Sequence, residues 1–464
     1  MACTIATPVH AADAPASALA QAPAIATDPA TMAKIQSMIQ TYPDAGQFMG
    51  AVLIAKDGQV VLDKGFGFAD RNAKTQITPN TRFYIASMTK QFTAAAILLL
   101  EERGKLSIND PIGKHVSGLP ASWAAIPLIN LLTHTSGIPD WGNRPEAQAT
   151  QLKPMTAEQM LAFVTAKPLD FVPDTAYAYS NTNYVLLGMA VEKASGQPFV
   201  TFLKDNIFVP LGMEATAVNV ALPSLKGYIY RPGGLDIETP KTYDQTSALG
   251  DSGIVSTTHD LMKWQQGLFG GKLLTPASLS KMITAYKNDR GVNGNNGFGL
   301  VVRAPRGGLR QFHHGGALPG FQSTIAWYPD AKLSVILLEN VEARKPAPSA
   351  EEMRGNIVTA LTGGDVPPPL VHKEIQVSPD VLAAYLGTYE LAQPKLHTMT
   401  ITLEDGQLFA ESKGAWRFPV YPETPTRFFS KHFEAQFEFV TAADGKVTGL
   451  VFHNGGRSTP GVRK

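Results

Sequence analysis

The chain has 464 residues, of which 44% are hydrophobic and 17% charged, and forty Lys+Arg against thirty-nine Asp+Glu leave a formal charge of +1. This balance excludes wholesale disorder and argues against nucleic-acid binding by bulk electrostatics. The single cysteine, Cys3, excludes an intramolecular disulfide framework, a thiolate metal cluster and a CxxC redox centre.

Residues 1–30 are rich in Ala, Pro and Thr and have no apolar periodicity. Val9-His10-Ala11 before Ala12 resembles the small-residue end of a secretory signal peptide, without the basic region and most of the apolar stretch. The expectation is a truncated signal and flexible leader on a periplasmic or secreted protein. The alternatives are a disordered tail of an intracellular protein and, from Met1-Ala2-Cys3, the stump of a lipoprotein signal. Next, 51–55 and 60–62 flank Lys56-Asp57-Gly58-Gln59 and predict a hairpin. Residues 87–102 predict a helix with an apolar body. Its run 92–100 is about half of the roughly 20 residues a membrane span needs, so no span is expected. Further helices are predicted over 184–194 and 260–269, and strands over 323–328 and 333–338 around the turn Pro329-Asp330. Strands at both ends with helices between predict an α/β unit, 31–362, whose chain ends share one sheet.

Gly363-Gly364-Asp365-Val366-Pro367-Pro368-Pro369 reads as a stiff linker, 363–370. Beyond it the texture changes. Phe433, Ala435, Phe437 and Phe439 alternate with polar residues, and Asp405-Gly406 and Asp444-Gly445 read as hairpin turns. Residues 371–464 are therefore predicted to form an antiparallel sheet or small barrel.

Several chemistries have no foothold. There is no G-x-S-x-G, because Gly250-Asp251-Ser252-Gly253 lacks the register, and no H-E-x-x-H. His313-His314 has no carboxylate at metal-ligand spacing, so no metal is expected. Gly65-Phe66-Gly67 lacks the third glycine of a dinucleotide loop, and no cofactor is expected. S-x-x-K occurs twice. Ser87-Met88-Thr89-Lys90 follows an apolar stretch and opens the predicted helix, so Ser87 has free amides and the helix dipole beside it. Residues three apart share a helix face, which sets Lys90 next to the hydroxyl, and a lysine held among apolar turns can remove a serine proton. Ser278-Leu279-Ser280-Lys281 precedes Asn- and Gly-rich sequence and reads as a helix-cap serine with a surface lysine.

Tyr179-Ser180-Asn181 stands in a loop just before the helix at 184. A tyrosine hydroxyl beside a lysine can relay a proton, and an asparagine offers donor and acceptor. Tyr286-Lys287-Asn288 has the same letters but falls in the loop just set aside. Finally, His313-His314-Gly315-Gly316 precedes the strands at 323–338, where glycines let a ligand lie against a strand edge.

S-x-x-K, Y-x-N and K/H-x-G in this order are the pattern of the serine β-lactamase and penicillin-binding protein superfamily. Leu131-Leu132-Thr133-His134-Thr135-Ser136-Gly137, Pro210-Leu211-Gly212-Met213, Gly253-Ile254-Val255-Ser256-Thr257 and Asn183-Tyr184-Val185-Leu186-Leu187-Gly188 are similar to its class C β-lactamase and DD-peptidase branch. The tail, with Tyr385-Leu386-Gly387-Thr388-Tyr389, resembles the lipocalin-like barrel of some esterases and D-aminopeptidases. The resemblance implies an antiparallel sheet flanked by helices plus an all-helical lobe, with an appended antiparallel β-barrel. It implies Ser87 as nucleophile, Lys90 as its neighbouring base and Tyr179 as proton relay to the leaving group. Asn181 would hold the substrate amide, and His314 and Gly316 would lie along the substrate. The amides of Ser87 and Ala317 would form the oxyanion hole.

The third motif departs from the β-lactamase Lys-Thr-Gly, because His314-Gly315-Gly316 supplies no permanent cation and no hydroxyl. The expected function is therefore a metal-independent serine hydrolase of peptide, amide or ester substrates, like a D-aminopeptidase, DD-peptidase or esterase. Penicillin recognition is compatible with it. A class C-like β-lactamase is the alternative within the enzyme class, and a non-catalytic penicillin-binding or scaffold protein is the alternative outside it. The expected partner is a small-molecule or peptide substrate, and the oligomeric state is left open.

Overall fold

The computed structural model describes residues 23–464 except 149, 232–233, 237–242, 289–291, 293, 304–307, 344–345, 367, 393–397, 413–415, 432 and 455–456. Cys3, the signal-like segment to Ala12 and the rest of 1–22 lie outside the described residues, as does Pro367 of the linker.

The first long helix, α1 (Pro29–Asp44), is capped by Asp28, whose carboxylate accepts from the Ala30 and Thr31 amides. A hairpin follows, β1 (Gly50–Lys56) and β2 (Gln59–Phe66). Its turn residues, Asp57 and Gly58, both have positive φ, 51° and 78°, as a two-residue hairpin turn requires. A short 3₁₀ turn (Ala86–Met88) leads into α2 (Thr89–Glu102), and α3 (Asn181–Ser195) and α4 (Thr258–Phe269) follow. The chain then returns through β3 (Val301–Arg303), β4 (Gln311–Leu318), β5 (Phe321–Tyr328) and β6 (Leu333–Glu339) to α5 (Ala350–Leu361).

These six strands form one antiparallel sheet in the order β3-β4-β5-β6-β1-β2. Strand β6 pairs with β1 from Gly50↔Glu339 to Lys56↔Leu333, so the two ends of this unit close one sheet as its sequence implied. Alternation divides the side chains between two cores. Ala51, Leu53, Ile336 and Leu338 face the helical lobe, where α2 is buried from Thr89 to Leu100. Val52, Ile54, Val335 and Leu337 face α1 and α5, meeting Ile35, Ile39, Met353 and Ile357. The α2 body is apolar on all sides because it is surrounded on all sides.

After a short helix, α6 (Pro379–Ala384), eight strands close an antiparallel barrel: β7 (Gly387–Leu391), β8 (Thr398–Glu404), β9 (Gln407–Ser412), β10 (Trp416–Pro422), β11 (Arg427–Ser430), β12 (Ala435–Thr441), β13 (Val447–Asn454) and β14 (Arg457–Arg463). Closure pairs Tyr389 with Arg463 and removes the sheet edges. The alternating Phe437 and Phe439 point inward with Tyr389, Phe418 and Phe428, so aromatic side chains fill the interior.

Some elements differ from the sequence reading. The helix expected from Ser87 begins as a 3₁₀ turn, and the α-helix proper starts at Thr89. Helix α3 starts at Asn181, so Asn181 belongs to its first turn and not to a loop. Ser278 is not a cap: it is buried inside a helix (Pro276–Ile283) capped by Thr275, while Lys281 pairs with Glu101 at 2.8 Å. The described end of the Gly-rich stretch after it is not a plain exposed loop either. Gly299 has φ 65°, and a Cβ there would lie 2.5 Å from the Lys90 carbonyl, so only glycine lets this segment press against α2.

Candidate active site

Ser87 lies in the 3₁₀ turn at the head of α2, after Ala86, whose φ is 47°. A left-handed alanine costs about 1 kcal/mol or more. The conformation is held because Ile85 is tied down, its N–H donating to the Ile254 carbonyl at 3.0 Å and its carbonyl accepting from Ser323 Oγ at 3.0 Å. Strand β4 crosses close by. A Cβ on Gly316 would sit 2.2 Å from the Ile85 carbonyl, so the glycine of the third motif is what allows the strand to approach the serine turn.

Lys90 is fully buried, with Nζ 3.1 Å from Ser87 Oγ, 2.8 Å from Asn181 Oδ1 and 2.8 Å from the Asp251 carbonyl. The last two atoms can only accept, so each must receive an N–H from Nζ. Of its three polar directions, the one toward Ser87 is the direction in which a neutral amine can present its lone pair to the hydroxyl proton. The Asp251 segment is held in turn by Thr93 Oγ1, which donates to the Gly250 carbonyl at 2.7 Å. Asn181 is oriented by Asp140, which accepts from the Asn181 backbone N–H at 2.7 Å and from Nδ2 at 3.5 Å. Because its oxygen serves Lys90, Asn181 meets a ligand through its Nδ2–H alone.

Tyr179 is half-exposed. Its ring lies 4.4 Å from that of His134, and Lys90 Nζ lies 5.0 Å from its centre. His134 is buried at φ 59°, and its Nδ1 accepts the Ser180 N–H at 3.2 Å. Burial holds its imidazole well below the usual histidine range. His314 is also neutral: burial first, and the Lys90 ammonium second, push it down to about 4. Its Nδ1 lies 2.5 Å from the Gly315 carbonyl, which can only accept, so Nδ1 carries the proton and Nε2 is bare.

Two cavities meet at the serine. The first, about 470 Å³, is lined by Tyr179, His134, His314, Gly316 and Glu351 among others. The second, about 240 Å³, is lined by Asn181, Trp141, Lys153, Met155 and Tyr243 among others. Ser87 and Ala317 line both. The turn Pro319-Gly320 makes Leu318 and Phe321 the hydrogen-bonded pair that closes the β4–β5 hairpin, so Ala317↔Gln322 is a non-bonded pair. Ala317 therefore turns its N–H away from β5, on the edge that β3 leaves free beyond His313. All seven residues singled out in the sequence thus stand around one point. Among the described residues no group of His, Cys, Asp and Glu could hold a metal ion.

The sequence reading missed Asp140, Asp251 and His134. His134 and Asp251 each stood in a quoted or scanned phrase, but nothing local marked them as partners of Asn181, Lys90 or Tyr179. Burial raises the Asp251 carboxyl to about 6; the Asp140 carboxylate adds to this and Lys90 opposes it. Its folded value exceeds the unfolded 3.8, so the stability it contributes is present below 3.8 and lost as pH rises through 6. His314 has the opposite sign: its contribution is present above 6.5 and lost as pH falls through 4. Asp251→Asn is expected to raise stability at pH 7.5 by about 1–3 kcal/mol, with the gain fading toward pH 4. Thermal unfolding across pH checks this; a gain that is equal at both ends would contradict it.

Comparison with known proteins bears on this arrangement. Residues 35–359 match the family model described as Beta-lactamase, and residues 371–460 match a domain of unknown function, DUF3471. Penicillin-binding protein 4* of Bacillus subtilis is 29% identical over 439 residues, covering 91% of this chain and 96% of the relative. The D-amino acid amidase of Ochrobactrum anthropi SV3, complexed with L-phenylalanine amide, superposes with a TM-score of 0.61 at 27% identity, covering 71% of this chain and 99% of that one. An octameric penicillin-binding protein homologue from Pyrococcus abyssi shares the fold, with a TM-score of 0.63 at 24% identity over 92% of this chain and 99% of that one. No helix among the described residues is long and apolar enough to cross a membrane.

Proposed function

The chain belongs to the beta-lactamase and penicillin-binding protein family of serine hydrolases, and from that premise we propose that it hydrolyses amide, peptide or ester bonds through an acyl-enzyme on Ser87. The observation that carries this reading is the Lys90 amine, whose Nζ lies 3.1 Å from Ser87 Oγ with its other two polar directions fixed on acceptors. Ser87 Oγ attacks the substrate carbonyl while its proton passes to Lys90 Nζ. The resulting oxyanion lies between the N–H groups of Ser87 and Ala317. Tyr179 hands its hydroxyl proton to the departing group and regains one from Lys90, so the serine proton ends on the leaving group, and water then releases the acyl chain from Ser87.

The third motif favours an amidase or esterase over a β-lactamase. A half-buried, neutral His314 with a bare Nε2 offers a substrate carboxylate neither charge nor a donor. The kinship with penicillin-binding protein 4* and with the D-amino acid amidase supports penicillins and D-amino-acid amides as compounds to test.

A panel of p-nitrophenyl esters, D-amino-acid amides and a chromogenic cephalosporin, with mass spectrometry after a fluorophosphonate or penicillin, tests the reading. A Ser87 adduct and turnover of an ester or amide faster than the cephalosporin are expected. A folded sample that forms no adduct and turns over nothing would instead support a binding or scaffold protein. Tyr179→Phe is expected to lower kcat about 10²-fold or more with an unchanged unfolding curve. Near-normal rates in that variant would remove the relay role.

A further inference from the structure

The two cavities at Ser87 are not equivalent. Tyr179 and His314 line only the larger one, and Asn181 lines only the smaller one. A departing group must receive a proton as the bond to it breaks, so it lies on the side of Tyr179 and His314. The acyl part then lies on the side of Asn181, whose Nδ2–H can meet it. This assignment rests on the acyl-enzyme reading above.

Among the described residues lining the larger cavity, Glu351 is the one that carries a formal charge. Both histidines of that wall, His134 and His314, are held neutral by burial. Glu351 stands in the first turn of α5, half of its side chain open, and its Oε1 lies where it would be 2.9 Å from a Cβ on Gly315. The glycine next to His314 thus gives the carboxylate its place over the strand edge. His313 Nδ1 lies 3.6 Å from Oε1, and this contact, with the Arg354 and Arg303 charges, holds the carboxyl down at about 2, so it is ionised throughout the working range. Arg354 is buried and donates to Gln311 Oε1 and the Tyr328 hydroxyl, and Arg303 and Arg354 line a neighbouring depression that shares Ser349 and Glu351 with the larger cavity. A ligand in the larger cavity meets the carboxylate and not these cations.

We propose that the leaving-group cavity selects substrates whose departing alcohol or amine carries a cationic group, an ammonium or guanidinium that pairs with Glu351, over departing groups that carry a carboxylate.

The test fixes the acyl group as the one turned over fastest in the panel above. It varies the departing alcohol among 3-aminopropanol, butanol and 3-hydroxypropanoate. The native protein is expected to show kcat/KM at least about tenfold higher for the cationic ester than for the neutral one, with the anionic ester slowest and the spread narrowing at high salt. Glu351→Gln keeps the size and shape of the side chain beside His313 and removes the charge. It should erase the cationic advantage while leaving the neutral ester within about twofold. Glu351→Lys should invert the order. Equal rates for the three esters, or a cationic preference that survives Glu351→Gln, would overturn the inference and leave the hydrolase reading standing. Failure of all three esters, with no adduct on Ser87, would remove the hydrolase reading and the inference together.

Discussion

Ser87→Ala is expected to lower turnover of any ester or amide substrate by about 10⁴-fold or more, and to abolish covalent labelling, without disturbing the fold. The argument is local. The Ser87 hydroxyl sits where two cavities meet, with Lys90 Nζ 3.1 Å away, and the alanine variant deletes one oxygen atom from that junction. Lys90 keeps its contacts to Asn181 Oδ1 and the Asp251 carbonyl, and the left-handed Ala86 before it is held by Ile85 and not by the serine. Thermal stability should therefore stay within about 1 kcal/mol of the native protein, as for most substitutions that create no cavity. Binding of uncleaved substrate should persist in the same variant, since the walls are intact. Hydrolysis retained within about tenfold would mean that the nucleophile is another group. A phenotype unaffected by the substitution would favour the scaffold alternative.

What the sequence could disclose follows from how local each feature is. The hairpin at Asp57-Gly58, the apolar helix after Ser87 and the alternating Phe433 to Phe439 segment are readable because each depends on a short-range rule: a turn conformation, a helical period or a two-residue period. The three motifs were readable because each keeps its chemistry within four residues. Their convergence was not readable from spacing. Asn181 reaches Lys90 across 91 positions and Asp251 reaches it across 161. The same applies to the boundaries. Asn181 opens α3 because Asp140 binds its N–H, and that partner is forty-one positions upstream. Burial decided the electrostatics. Neither His314 nor Asp251 has a neighbour in sequence that explains a value near 4 or near 6; enclosure by other elements does.

The lysine is the more searching of the two large tests, because it asks whether charge or proton transfer is what the site needs. Lys90→Met keeps the length of a fully buried side chain and removes all three polar contacts. Acylation of Ser87 is expected to slow by about 10³-fold or more. Two acceptors, Asn181 Oδ1 and the Asp251 carbonyl, lose a donor, at about 1–3 kcal/mol each, while the removal of a buried ammonium acts in the opposite direction. The loss of activity should therefore far exceed any loss of stability. Lys90→Arg separates the two explanations. A guanidinium keeps the charge and can serve the same acceptors, but it cannot take the serine proton. If Lys90 acts as the base, the arginine variant is as slow as the methionine variant when labelling of Ser87 by a fluorophosphonate is timed. If charge alone suffices, arginine restores most of the rate, and the lone pair aimed at Ser87 ceases to be the origin of the reactivity.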